Sequence, residues 1–578
     1  MKNNLDPLRH STAHLLAAAV LKLWPKTKLA IGPAIEDGFY YDFDFAKPIG
    51  EEDLAKIEKK MTDIVKEWKK FERIEVGKSK AINEFKDNPY KKELIEEFSR
   101  DNKKLTFYKG GDFTDLCKGG HVENPSKEIK FFKLLSLAGA YWRGSEKNPM
   151  LTRIYGTIWP SKKELEDYLT RVEQARKNDH RVIGKELGLF VNSELVGKGL
   201  PLLTSKGATI KRILERFIVD EEIKRGYEHV VTPPLAKVEL YEKSGHYPYY
   251  KDTMYPIMQV DEEKLILRPM TCPHHFMLYK SERHSYRELP LKIAEISPQF
   301  RYEKSGELSG LMRVRTFTLA DAHIFVQPEK IKDELKKVLE LIDFVNKTLG
   351  LKKGEDYRYR LSLGDRIDKS KYFEDAAAWE KAENTLREVL TETDAPFFEA
   401  LGEAAFYGPK IDVQIRNVLG KEETAFTVQY DFVMPKRFGL EYIDEDGKTK
   451  QPLVIHRSSI GSLERTIAFL IERYGGKFPT WISPIQAEII PISDRHIEYA
   501  EAVKKQLTGL GFRTEVNSKS EPMGAKIRDA QLLKIPYMLV VGDREQVKKE
   551  VTVRDRDGKN LGTISIENFA QHLQKEIP

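Results

Sequence analysis

Two cysteines serve a chain of 578 residues, and each stands beside histidine: Cys117 in DLCKGGH and Cys272 in RPMTCPHH. With so few thiols no disulfide framework can hold the chain, so every domain must be built on its own apolar core, and a reducing compartment suits it. At this length the prior is about three or four such units. A content of 40% apolar and 32% charged residues is that of an ordinary globular protein. The net charge of +6 is slight for the size; it permits contact with a polyanion without arguing for one. No apolar run approaches membrane-spanning length, and the run 15–20 ends near Lys22 without the small-residue cleavage pattern of a signal peptide. A cytoplasmic protein is expected.

A lone cysteine is more often a small buried apolar residue than a ligand, so neither thiol identifies a site by itself. Their company is more telling. His10 and His14 in HSTAH are four residues apart, in a segment whose apolar residues recur at helical spacing, so both imidazoles fall on one helix face. Cys117 and His121 repeat the spacing in a stretch rich in glycine and turn-formers, where backbone amides are exposed. Together they would make a four-ligand metal site or an acid/base cluster.

Farther along, the segment 51–71 carries Leu54, Ile57, Met61, Ile64, Val65 and Trp68 on one stripe, which predicts a surface helix of the first domain. Ser161 and Glu164 read as a capping box opening a charged linker helix that runs to about residue 185. A helix over 206–225 feeds the β-branched run HVVTPPL. FRYEKSGELSG, with Arg301 and Glu303, followed by LMRVRTFTLADAHIF, with Arg313 and Arg315, predicts strand, Gly/Ser loop and strand, bringing guanidinium groups from both sides onto one anionic ligand. His323 follows in DAHIF, and His456 opens a segment leading into an apolar-striped helix with Arg465. Cys272, His323 and His456 lie too far apart for any local spacing rule to join them. From about residue 483 an alternation of apolar runs and helices predicts a small α/β domain.

These motifs resemble those of a known family. FRYEKSGELSGLMRVR is similar to motif 2 of the class II aminoacyl-tRNA synthetases, GSLERTIAFLIE to motif 3, and the helix before TPPL to motif 1. With RPMTCPHH, DAHIF, AFYGPKID and VQYDF, the resemblance is to the threonyl-tRNA synthetases over nearly the whole chain. It implies an α+β multidomain fold: an α/β editing domain at 1–160, a linker helix at 161–190, an antiparallel-sheet class II catalytic domain at 191–482 and an α/β anticodon-binding domain at 483–578. HSTAH so near the start leaves no room for the ubiquitin-like module that opens many relatives. Thr271 and His274 depart from one common version of the cysteine motif.

The resemblance also implies roles. Cys272, His323 and His456 would hold one Zn2+ per subunit with a coordination position left for threonine. Arg301 would bind the α-phosphate and the reacting carboxylate, Glu303 the adenine amino group, and Arg313 and Arg465 the outer phosphates of ATP, which brings Mg2+. Asp321, Tyr407 and Gln429 would line the threonine pocket, with Lys410 near the reacting groups. His10, His14, Cys117 and His121, with Asp115 and Tyr41, would hydrolyse Ser-tRNA(Thr), by water activation or with zinc. Glu545 and Arg554 would read anticodon bases. The implied partners are L-threonine, ATP and tRNA(Thr), the implied state a homodimer with no membrane association. A stand-alone hydrolase would leave Arg301, Arg313 and Arg465 idle, and a silent RNA-binding regulator would not need the zinc ligands.

Overall fold

The computed structural model describes residues 5–99, 105–145, 147–368 and 371–578. Two compact units divide near Val172. Among the described residues, no helix is long and apolar enough to cross a membrane.

In the first unit the helix Asp6–Leu23 is buried almost all round from Arg9 to Val20. Its run of alanines between Leu16 and Val20 lets neighbours approach closely, which explains a helix without a polar face. It packs on an antiparallel sheet ordered Lys28–Leu29, Gly38–Asp44, Met150–Trp159, Phe131–Tyr141, with Ala34–Ile35 on the second strand. The helix Asp53–Val65 buries Leu54, Ile57, Met61 and Val65 as its stripe predicts, and Trp68 and Phe71 join the core beyond its end. A second antiparallel sheet of Glu72–Val76, Leu105–Gly110 and Phe113–Leu116 delivers the loop that carries Cys117 and His121.

The segment expected as one charged helix is two. Lys162–Lys177 ends, and Asp179 caps a new helix, His180–Glu186, by accepting the Arg181 amide at 2.8 Å. The second helix buries His180 and Ile183, a burial that the charge-rich sequence around them masks.

An eight-stranded sheet organises the second unit, in the order Glu228–His229, Leu291–Phe300, Thr316–Val326, Leu453–Ser462, Glu422–Asp431, Lys410–Arg416, Tyr357–Leu363, Phe397–Leu401. The six central strands pair antiparallel; each outermost strand pairs parallel to its neighbour. Helices Ser205–Lys224, Ile331–Thr348, Ala376–Glu392 and Leu463–Tyr474 contribute to the core on this sheet. Of the β-branched run HVVTPPL only His229 lies in the two-residue strand Glu228–His229, and Leu235 opens a separate strand beyond the paired prolines, which cannot donate to a ladder. Conversely HRSSIGS, which has no strand-like alternation, lies within the ten-residue strand Leu453–Ser462, whose residues from Val454 to Gly461 are all buried. At the C-terminal end, Thr514–Val516, Ala487–Pro491 and Tyr537–Val541 pair parallel, Glu550–Asp555 and Asn560–Ser565 follow antiparallel, and the helices Ile497–Gly509 and Ile566–Gln574 share their core.

Candidate active sites

Strand register assembles the larger site. His323 pairs directly with His456, His456 with Gln429, and Gln429 with Lys410, so four side chains form one row across four strands. Asp321 and Ser458, two residues away from the histidines on their strands, form a second row on the same face. Cys272 arrives from elsewhere, at the first turn of the helix Cys272–Lys280, where Pro273 fits because its missing N–H would have been unpaired anyway. The ligand atoms of Cys272, His323 and His456 lie within 4.8 Å of one another, and all three residues are buried.

The two imidazoles are backed in ways that free one nitrogen each. His456 Nε2 is 2.7 Å from Asp431 Oδ2, leaving Nδ1 available. His323 Nδ1 is 2.8 Å from His275 Nδ1, whose Nε2 is 3.3 Å from Glu295 Oε2, and Glu295 pairs with the buried Arg268 at 2.8 Å. Such chains hold ring orientation and raise ligand basicity around a bound metal. Three donors of nitrogen and sulfur type, each with a free electron pair, fit zinc.

The same residues open into a cavity of about 600 Å³ lined also by Arg301, Glu303, Arg313, Asp321, Tyr407, Gln429 and Arg465. Arg301 stacks over the Phe317 ring at 5.0 Å and reaches the Pro269 carbonyl at 3.3 Å. Arg465, at the start of its helix, donates to the carbonyls of Met312 and Thr424 at 3.2 Å each. Glu303 is paired with Arg313 at 2.8 Å. Tyr407 donates its hydroxyl to Gln429.

The smaller site is in the first unit, where the ligand atoms of His10, His14, Cys117 and His121 also lie within 4.8 Å of one another. Cys117 Sγ is 3.4 Å from His10 Nε2 and 3.3 Å from His121 Nε2, and it receives the Gly119 amide at 3.2 Å. Beneath them Asp115 is buried and takes the Tyr41 hydroxyl at 2.6 Å and the Lys91 ammonium at 2.5 Å.

Comparison with known proteins decides the family. The tRNA synthetase class II core domain (G, H, P, S and T) matches residues 255–474, the anticodon binding domain 486–576, and the threonyl and alanyl tRNA synthetase second additional domain 105–155. A threonine–tRNA ligase of Geobacillus sp. (strain WCH70) is 52% identical over 580 residues, covering 100% of this chain and 89% of that protein. One from Staphylococcus carnosus (strain TM300) is 52% identical over 575 residues, covering 99% and 88%. A crystal structure described as the RNA binding domain of threonyl-tRNA synthetase from Cryptosporidium parvum Iowa II superposes with a TM-score of 0.66 at 35% identity, covering 69% of this chain and 98% of that one. The chain belongs to the threonyl-tRNA synthetases. It carries the class II core, the anticodon-binding domain and the editing-related domain of that family.

Within this synthetase, the cavity gathers every residue expected in the aminoacylation site except Lys410 and Arg315; Arg315 does not line it and instead donates to the carbonyls of Glu303 at 3.0 Å and Lys198 at 3.3 Å. Lys410 stands one strand beyond Gln429 in the row, and its ammonium is 3.1 Å from Asp412, which also takes Arg360 and Ser362. The cavity is short of negative charge. Burial lowers the pKa of Arg301 and of Arg465, Arg465 adds to the lowering at Arg301, and Arg313 adds to it at Arg465. A bound polyanion would relieve both at once. Burial pushes the Cys272 thiol well up, helped by Asp321 and Asp431, and raises Asp321; a divalent cation there would reverse both effects.

In the N-terminal cluster burial lowers His10, and burial with the neighbouring imidazole of His10 puts His14 well below 6.5. Burial, His14 and His10 push His121 down to about 2. Burial pushes the Cys117 thiol up to about 11. The cluster is therefore neutral, three imidazoles and a thiol.

Several residues at these sites carry no sequence signal. Lys91, in the surface-like run YKKELIEE, is 3% exposed in its side chain and completes the Asp115–Tyr41 triad. The Ser11 hydroxyl sits 3.2 Å from His121 Nδ1 and accepts the Val122 amide, a contact across more than a hundred residues. His246 lines the large cavity, its Nδ1 2.7 Å from Ser244 Oγ. Asp431 lies within the VQYDF motif, yet only the pairing of its strand shows that it backs His456. The expected anticodon residues are engaged internally: Glu545 accepts the Gly542 amide at 3.0 Å and the Thr552 hydroxyl at 2.8 Å, and Arg554 reaches the Gly558 carbonyl at 3.4 Å.

Proposed function

We propose that this chain joins L-threonine to tRNA(Thr) at the expense of ATP in the large cavity and hydrolyses Ser-tRNA(Thr) at the N-terminal cluster. The observation that supports this reading is the convergence of Cys272, His323 and His456 in one cavity that is also lined by the guanidinium groups of Arg301, Arg313 and Arg465. Zinc held by these three residues would supply a Lewis-acidic position for the amino and hydroxyl groups of threonine. Magnesium accompanies ATP.

The chain's own residues supply position and charge. Arg301 aligns the threonine carboxylate with the α-phosphate, and the carboxylate oxygen displaces pyrophosphate without a nucleophilic side chain. Arg465 and Arg313 take the outer phosphates. For this Arg313 must leave Glu303, an exchange that costs little because Arg313 is half exposed and surface ion pairs contribute about 0–1 kcal/mol. Glu303 is then free to accept from the adenine amino group. Asp321, Tyr407 and Gln429 line the threonine end. A hydroxyl of the tRNA terminal ribose then attacks the adenylate carbonyl and AMP leaves. Lys410, tied to Asp412 in this structure, would approach only as the site closes.

Valine cannot replace the threonine hydroxyl, whereas serine can, and loss of one methyl discriminates by only about 10- to 200-fold. The second site meets that shortfall. There a neutral imidazole takes the proton of the attacking water and returns it to the ribose oxygen, while Lys91 and Tyr41 hold Asp115 buried behind Cys117. We favour this water activation over a second zinc.

Exposed Ile223, Val231 and Leu235 around the motif 1 helix support a homodimer, with sedimentation at the mass of one 66.8 kDa chain the opposing outcome. The proposed substrates, threonine, ATP and tRNA, support a cytoplasmic enzyme. Glu545 and Arg554 would read anticodon bases once their internal bonds open. The domain limits proposed are 1–160, 161–190, 191–482 and 483–578.

The decisive experiment is metal analysis of the purified chain with threonine-dependent exchange of pyrophosphate into ATP. One zinc per chain and exchange, both lost together in Cys272→Ser, are expected because oxygen is the poorer soft-metal ligand. Unchanged metal content and rate in that variant would refute the assignment. Two zincs per chain would give the N-terminal cluster a metal as well.

A further inference from the structure

A third cluster meets the same distance test: ligand atoms of Asp179, His180 and Glu472 lie within 4.8 Å of one another. Its hydrogen bonds leave no nitrogen for a metal. His180 Nδ1 is 2.7 Å from Glu472 Oε1, and His180 Nε2 accepts the Leu311 amide at 3.1 Å. That pair of partners fixes the neutral ring with its proton on Nδ1.

What the ring holds is the loop that grips the nucleotide. Leu311 is completely buried, the next carbonyl, of Met312, accepts Arg465 Nε at 3.2 Å, and the residue after that is Arg313. Glu472 lies on the helix of Arg465, seven residues on, hence two turns farther along the same face. Asn178 adds a bond to the Glu472 carbonyl at 3.0 Å, and Asp179 caps the helix that carries His180. Gly310 passes so close that a Cβ there would stand 2.1 Å from His180 Nε2, with a backbone φ of +48°. One imidazole thus ties three elements, the helix His180–Glu186, the motif 3 helix and the motif 2 loop.

We propose that His180 is a positioning residue for ATP: by holding the Leu311 amide it sets Arg313 and the Met312 carbonyl in register with Arg465. It touches no reacting atom. The proposal rests on the reading that Arg313 and Arg465 take the outer phosphates, and the test separates the two.

Full-length His180→Ala, His180→Gln, Gly310→Ala and Arg313→Ala are assayed by threonine-dependent pyrophosphate exchange at varied ATP and varied threonine, with zinc content and Ser-tRNA(Thr) hydrolysis measured alongside. His180→Ala is expected to raise KM for ATP by about tenfold, the scale of one buried hydrogen bond, with KM for threonine, zinc content and hydrolysis unchanged. His180→Gln, whose amide can donate to Glu472 and accept from Leu311, should recover most of the loss. Gly310→Ala, which displaces the ring without removing it, should reproduce the loss. A general loss, in which kcat, both KM values and melting temperature move together and glutamine gives no rescue, would make His180 merely structural and overturn the proposal. If Arg313→Ala raises KM for ATP and His180→Ala does not, positioning is overturned while the cavity reading stands; if Arg313→Ala changes nothing, the cavity reading falls and the proposal with it.

Discussion

The two cysteine–histidine clusters use the same ligand types and differ in what stands behind them. In the core, His456 is backed by Asp431, and His323 is backed by His275 on Glu295. In the N-terminal unit the imidazoles meet one another, the Ser11 hydroxyl and the backbone of Gly119 and Gly120, while the Asp115 carboxylate is spent on Lys91 and Tyr41. Negative charge behind an imidazole makes it a better metal ligand; its absence, with burial, leaves a neutral base. On the functions proposed above, the two clusters differ more in these outer partners than in the identity of their ligands.

The largest test of that contrast removes one cluster and reads both reactions. His10→Ala with His14→Ala is expected to slow Ser-tRNA(Thr) hydrolysis by about 10²- to 10⁴-fold, the scale of general acid–base help, with threonine charging unchanged. If serine product is still cleared normally, the N-terminal assignment fails. The reciprocal variant, Arg301→Ala, is expected to lower threonine-dependent exchange by about 10²- to 10³-fold and to leave hydrolysis alone; slowed hydrolysis would mean that the two centres are not independent.

Sharper still is a change behind the ligands. Asp431→Asn keeps the shape beside His456 and removes the charge, so zinc affinity measured by chelator competition should fall by about 10- to 100-fold. Equal affinity would show that the carboxylate does not tune the site.

The smallest effect separates the clusters by pH. His10, His14 and His121 are held below 6.5 by burial, the last two also by neighbouring imidazoles. Below about pH 6.5 the unfolded chain binds protons that the folded unit refuses, so stability falls as pH drops, by at most about 1.4 kcal/mol per pH unit for each histidine. The same depressed values keep the base unprotonated, so Ser-tRNA(Thr) hydrolysis should hold its rate from about pH 8 to about pH 6. A decline with a midpoint near 6.5 would mean an ordinary, solvated imidazole.

Local spacing made the N-terminal cluster half legible. His10 and His14 share a helix face because four residues make about one turn, and Cys117 and His121 share one short loop, but that the two pairs meet, with Lys91 and Ser11 beside them, depends on packing between distant segments. The apolar motif 3 helix and the strands flanking motif 2 were legible from pattern, but those strands stop at Phe300 and restart at Thr316, so Arg301 and Arg313 reach the cavity from the loop between them and not from paired strands. HRSSIGS was not legible as strand because a segment buried on both faces loses the alternation that marks a half-exposed one. The charged stretch after Ser161 misled in the opposite sense, since its polar letters hide the buried His180.

Sequence alone determined the chemical repertoire: which thiols and imidazoles are present, the short-range pairs, and motifs that mark a class II synthetase of the threonine type. Those properties live within a few residues, where helical and loop geometry act directly. Only the tertiary structure decided that Cys272 meets His323 and His456, that Asp431 and Glu295 stand behind them, that Lys410 is one strand away and that His180 holds the Leu311 amide. These follow from strand register and burial, which join residues tens to hundreds of positions apart and therefore leave no local trace.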